Sequence, residues 1–182
     1  MIEQLAWLDR SFAFDQPVGV FPVFLERLRG TVARANELAL SASEEMLAAR
    51  VANRLSVKEH IGHLTDLVPL DNRRLQEFLS RTDVLSPADT ENRGTASADH
   101  RCIPIANIIA TLANERAPFI TRLEGLTENE VAIVAVHPRL QKPMRLLDWV
   151  CFLAEHDDHH LALARGVLTK LKNQEPFTKG VS

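Results

Sequence analysis

Four long stretches of this 182-residue chain place apolar residues at helical spacing, and no stretch of comparable length alternates with the period of two that a half-buried strand requires. The first runs from Val18 to Leu40, with Val20, Phe21, Val23, Phe24, Leu25 and Leu28 crowding one side. The second opens at Ser56, where Ser56 and Glu59 stand in the S-x-x-E relation of a capping box, and resumes its period at Leu75, Phe78 and Leu79 beyond Pro69. A proline inside a helical period removes an N–H and clashes with the preceding turn, so a kink is expected near Asp66. The third covers Ile105 to about Leu126, interrupted or bent at Pro118, and the fourth Leu146 to about Leu171. Ser43 and Thr127 are set to start short helical turns. Residues 80–104 and "VAVHPRLQKPMR" read as irregular crossings between helices. The expected fold is all-α, a four-helix bundle with long crossover connections, formed by one domain with an N-terminal extension at 1–17, the bundle at about 18–172 and a tail at 173–182.

Bulk composition narrows the functional classes. Hydrophobic residues make up 46% and charged residues 25%, a globular balance, and the net charge of -3 gives no footprint for nucleic acid or an anionic membrane surface. Neither a membrane span nor a signal peptide is visible, so a cytoplasmic location is expected, with no nucleic-acid and no membrane partner. Cys102 and Cys151 show no C-x-x-C spacing and read as free thiols. The nucleophile-elbow, P-loop and dinucleotide-binding patterns are absent.

The histidines are unevenly placed. Three of the seven fall in "EHDDHH" on the fourth helix, and at about 100° per residue His160 lies about 40° from His156, both within the stripe that holds Trp149, Leu153 and Val167. Asp158 and Arg165 fall on the opposite side, Asp157 at the border of the stripe, and His159 between the two faces. A buried imidazole without a partner costs about 1–3 kcal/mol, and a cation shared by two rings one turn apart removes that cost. Core histidines satisfied by carboxylates or water are the competing reading. A metal also needs a ligand from another helix: His60 and His63 in "KEHIGHL", His100 and His137 are the candidates, and periodicity favours His60 over His63 at the stripe's edge.

Two segments carry a resemblance. "RLSVKEHIGHLTDL" is similar to the helix-2 signature, and "FLAEHDDHHLALARGVL" to the final-helix H-x-x-H-H motif, of the DinB/YfiT-like superfamily of metal-binding four-helix proteins. Carried onto matching positions, that resemblance implies His63, His156 and His160 as metal ligands. Two positions depart from the family pattern: Leu55 replaces a usual Trp, and Leu163 a frequent Gln.

Three neutral imidazoles leave a coordination position open, the arrangement of catalytic rather than structural sites, and suit a divalent transition metal, zinc or nickel first. Glu59, Asp66 and Asp157 are candidates to orient a ligand ring or act as general base, against the plainer roles of capping and packing. The resemblance implies a metal-dependent hydrolase, or a thiol-dependent S-transferase using a low-molecular-weight thiol, acting on a small-molecule substrate. The alternative is a non-catalytic metal-binding or stress-response ligand-binding protein. "LLDWVCFLA" is apolar nearly all round, so it must be wrapped or lie in a subunit interface, and a homodimer through it is expected.

Overall fold

The computed structural model describes residues 2–174 except Asn53, Thr90 and Asn92. Its helices are α1 (Phe21–Leu40), α2 (Glu44–Ala48), α3 (Val57–Asp66), α4 (Val68–Leu79), α5 (Arg93–Ser97), α6 (Ile105–Glu124), α7 (Glu128–Val131) and α8 (Leu146–Gln174), with single 3-10 turns at Trp7–Asp9, Val18–Val20 and His100–Cys102. All but two residues of the tail at 173–182 lie outside the described residues.

Local chemistry sets the helix starts. Ser43 accepts from Met46 N ahead of α2, and Ser56 and Glu59 close a capping box on α3, as Thr127 and Glu130 do on α7. Pro69 divides the second long helix more sharply than a kink: α3 ends at Asp66, Leu67 forms the junction, and the proline lies in the first turn of α4, where its missing N–H is harmless. Pro118 behaves differently. It sits on the exposed face of α6, which runs through it without interruption, so the bond it removes is on the side that water can reach.

The crossing at "VAVHPRLQKPMR" corrects the expectation that it is irregular. It is an antiparallel hairpin of β1 (Val134–His137) and β2 (Lys142–Arg145), and Val136 also bridges to Val84 of the long connection. β1 is therefore central, while β2, which carries Pro143 without an N–H to donate, is an edge.

α1 packs chiefly on α6 and α8, and α3 on the same two, so the order around the bundle is α1, α6, α3, α8, with α1 diagonal to α3 and α6 diagonal to α8. Long connections are what such an order requires. The apolar core falls into two clusters. Thr31 of α1, Asp71 of α4, Arg116 of α6 and Asp157 of α8 meet in a buried polar layer.

The segment "LLDWVCFLA" is wrapped within the one chain. Leu146, Leu147, Trp149 and Val150 are fully buried, with Trp7, Phe12 and Phe14 of the N-terminal segment packed against the same cluster. Its apolar girth is satisfied there, and the argument for a homodimer from that girth falls away. No described helix is long and apolar enough to cross a membrane.

Candidate metal centre

α3 and α8 face each other along their buried sides, and this contact decides which histidines meet. His63 from the last turn of α3 comes against His156 and His160, one turn apart on α8: ring centroids are 4.5 Å apart for His63 and His160, 4.5 Å for His156 and His160, and 5.4 Å for His63 and His156. One potential ligand nitrogen from each lies within 4.8 Å of the others. Burial, the largest cause, pushes all three imidazoles below their ordinary pKa, with the neighbouring rings lowering His156 and His160 further. The cluster is three neutral nitrogen donors at neutral pH, which is the protonation state a transition metal requires.

Two of the rings are held from behind. Thr95 of α5 donates to Asp66 Oδ2 at 2.8 Å, so its oxygen faces His63 Nδ1, 3.0 Å away, as an acceptor. His63 thus keeps its proton on Nδ1 and leaves Nε2 with a free lone pair. His100 Nε2 completes the chain at 2.9 Å from the same Asp66 oxygen. On the other side, His60 Nδ1 lies 3.0 Å from His160 Nδ1, and burial pushes His60 to about 4. A proton on His160 Nδ1, donated to His60, frees His160 Nε2 in the same way.

The sequence candidates therefore separate. His63, His156 and His160 are brought together, whereas His60, favoured by periodicity, stands behind His160. His100 binds Asp66, and His137 lies on the hairpin beside Phe152. Glu59 is consumed by its capping box and by Arg50, which hold its carboxyl at about 2 despite burial. Asp66 supports His63 through Thr95, and Asp157 accepts from Thr31 in the buried polar layer. Sequence reasoning missed Thr95, which lies 32 residues from its partner in an irregular stretch, and the N-terminal segment. Trp7 packs at 4.9 Å from His156, 4.9 Å from Phe152 and 5.4 Å from His159, while Gln4 Nε2 donates to His159 Nδ1 at 2.8 Å. No helical period announces such a strap.

Strap, α3, α8 and the hairpin loop enclose an open cavity of about 1780 Å³ whose lining includes His63, His156, His160, Leu163 and Phe152. Neither thiol serves it as a nucleophile: Cys102 is exposed elsewhere, and the half-buried Cys151 is raised by burial and by Glu155.

The sequence profile of the DinB superfamily matches residues 27–164. No curated protein sequence matches the chain. In fold, the chain is similar to YfiT from Bacillus subtilis, described as a probable metal-dependent hydrolase with an unusual four-helix bundle topology, at a TM-score of 0.79 and 16% identity over 90% of this chain and 94% of that one. It is also similar to a mycothiol-dependent maleylpyruvate isomerase, at a TM-score of 0.63 and 8% identity over 81% of this chain and 60% of that one.

Proposed function

Because the chain belongs to the DinB superfamily and its cluster of three histidines can hold a divalent metal, we propose that His63, His156 and His160 bind zinc or nickel and that the protein is a metal-dependent hydrolase of a small molecule. The observation that carries this reading is the convergence of one buried and two part-buried neutral imidazoles on an open cavity, with no carboxylate or thiolate among them. When bound, such a metal supplies Lewis acidity and lowers the pKa of a coordinated water to about 7.

The chain's own residues have definable tasks. His63 holds its proton at Nδ1 against Thr95, which leaves Nε2 as its free lone pair, and a proton on His160 Nδ1 donated to His60 would leave His160 Nε2 free in the same way. Asp66, lowered by its bonds to His100 and Thr95 against the cost of burial, stays ionised and fixes the Thr95 hydroxyl. Trp7 covers His156 and limits water on that side. Description of YfiT as a probable hydrolase supports the same chemistry.

Thiol transfer is the second reading, favoured by the size of the cavity. At about 1780 Å³ it exceeds the roughly 300–1,000 Å³ of a pocket for one small ligand, leaving room for a thiol cosubstrate beside an electrophile. Metal content after dialysis, measured by elemental analysis, tests the ligand set. His63→Ala is expected to lose the metal, and His60→Ala to weaken it about 10–100-fold as a supporting group. Full retention in His63→Ala with loss in His60→Ala overturns the assignment. Metal-dependent turnover of esters and amides without thiol separates hydrolysis from transfer, which proceeds only when a low-molecular-weight thiol is added.

A further inference from the structure

The end of β1 and the hairpin loop after it present two donors with nothing to bind. His137 is 3% exposed. Its Nδ1 accepts from Leu140 N at 3.2 Å, so the proton of the neutral ring resides on Nε2. That Nε2–H is buried and has no acceptor among the described residues, and Arg139 Nη2 is in the same condition. Burial lowers the pKa of Arg139, with no carboxylate acting to raise it. Buried donors are rarely left unpaired, and two on one wall of a cavity indicate an absent acceptor.

Their position relates them to the metal centre. The His137 ring lies 5.2 Å from the Phe152 ring, and the Arg139 guanidinium carbon 5.8 Å from the same ring. Phe152 is one turn before His156 on α8, and Trp7 touches both. Arg74, nearby, adds positive potential but is already engaged: its Nε and Nη2 both donate to Ser86 O, and Glu77, which receives Ser86 N, lies beside it. Asp71, the other acid facing this region, is pushed up to about 7 by burial. Arg139 is therefore the cation left with an unpaired donor, while Arg74, its donors taken by Ser86 O, adds a second positive charge nearby.

We propose that His137 and Arg139 form a carboxylate-binding subsite, and that the substrate is a small carboxylic acid anion whose body lies over Phe152 and reaches the metal centre. This rests on the reading of the cavity as a substrate site. The unpaired N–H groups are two, one on a guanidinium and one on a neutral imidazole, which matches a carboxylate with one bond to each oxygen. A phosphate dianion would leave charge and acceptor oxygens unanswered, and the apolar wall of Phe152 and Leu153 favours an organic acid.

The test uses the metal-free full chain in chelator, so that its outcome does not depend on the metal ligands. Benzoate is titrated while the imidazole N–H of His137 is followed by NMR, with benzamide as the neutral analogue and inorganic phosphate as the competing anion. Benzoate is expected to shift the Nε2–H resonance and to bind at least tenfold more tightly than benzamide or phosphate, and Arg139→Gln to weaken benzoate at least tenfold. Without ligand, Arg139→Gln is expected to melt at or above the wild-type temperature, because it removes an unpaired cation. Equal binding of benzoate and benzamide, preference for phosphate, unchanged benzoate binding in Arg139→Gln, or a lowered melting temperature in that variant without ligand each overturns the subsite. Zinc content of the wild-type chain, measured separately, reports on the metal reading: bound zinc with Arg139-dependent benzoate binding supports both, and absent zinc with Arg139-dependent benzoate binding sinks the metal reading alone.

Discussion

Gly62 ties the long connection to the histidine cluster by what it lacks. A Cβ at this position would lie 2.3 Å from Cγ of His100, closer than any relaxed contact, so only glycine lets the His100 ring rest on α3 and reach Asp66. From Asp66 the bonds continue through Thr95 to His63. Gly62→Ala gains about 1 kcal/mol of helix propensity but incurs about 1–3 kcal/mol of overpacking, giving a net loss of up to about 2 kcal/mol. With His100 displaced, Asp66 and Thr95 lose their anchor, and zinc affinity is expected to fall about tenfold. Urea unfolding and zinc competition titrations check both numbers; His100→Ala in the same chain should recover stability but not affinity. Unaltered zinc affinity in Gly62→Ala would mean that the chain from His100 to His63 positions nothing. The sequence made His156 and His160 legible because their spacing and burial are properties of one helix. It could not choose His63 over His60 by periodicity, since the two differ by less than one turn and the choice depends on how α3 is rotated against α8. Thr95 and Gly62 carry no local signal at all.

Among the elements, the four struts of the bundle meet in one buried polar layer. Arg116 Nη2 is 3.4 Å from Asp157 Oδ1 and its Nη1 4.0 Å from Asp71 Oδ2, while Thr31 donates to Asp157 Oδ2 at 2.7 Å. One guanidinium faces two carboxylates. Burial pushes Asp71 up to about 7 and raises Asp157 as well, and the Thr31 bond and the closer guanidinium identify Asp157 as the ionised partner. A proton held by Asp71 balances the layer. Asp71→Asn, which imitates that proton, is then expected to cost less than about 1 kcal/mol at pH 7, whereas Arg116→Met strands a buried charge on Asp157 and costs about 3–5 kcal/mol. Chemical denaturation of the two variants measures the difference, and an Asp71→Asn loss as large as that of Arg116→Met would show that both carboxylates are charged. Elements were readable where their signals are local: the capping boxes at Ser56 and Thr127, the period of α1, α6 and α8, and the break imposed by Pro69. The hairpin was not, because each strand has four residues and β1 gains a second neighbour only from Val84, fifty residues earlier. Nor was the strap, whose Trp7 and Phe12 find their partner in Phe152 at the far end of the chain.

Across the whole molecule, the response to acid follows from the same burial. Six of the seven histidines are lowered from their ordinary value of 6.5, with His60 and His137 at about 4. Between about pH 4 and 6.5 the unfolded chain therefore binds protons that the folded chain refuses, and stability rises with pH through that window. Asp71 and Asp157 act in the opposite direction, since their raised values let the folded chain bind protons first between 3.8 and about 7. Two carboxylates against six imidazoles leave the acid side in control. The metal-free protein is expected to be most stable near pH 6.5–7 and to lose at least about 1.4 kcal/mol per pH unit below that, the slope for one net proton. Zinc should raise the curve without steepening it above about pH 5, because the rings of the folded chain are already deprotonated there: at about a thousand times its dissociation constant it adds about 4 kcal/mol, an increment lost only where the folded-state rings take up protons. Thermal melts from pH 5 to 8, with chelator and with zinc, separate the two contributions. His63→Ala should abolish the zinc increment while keeping most of the acid slope of the metal-free chain. Equal stability of the metal-free protein at pH 5 and pH 7 would mean that protons reach these imidazoles in the folded state, and the cluster would then lack the dry, neutral character on which metal binding is argued.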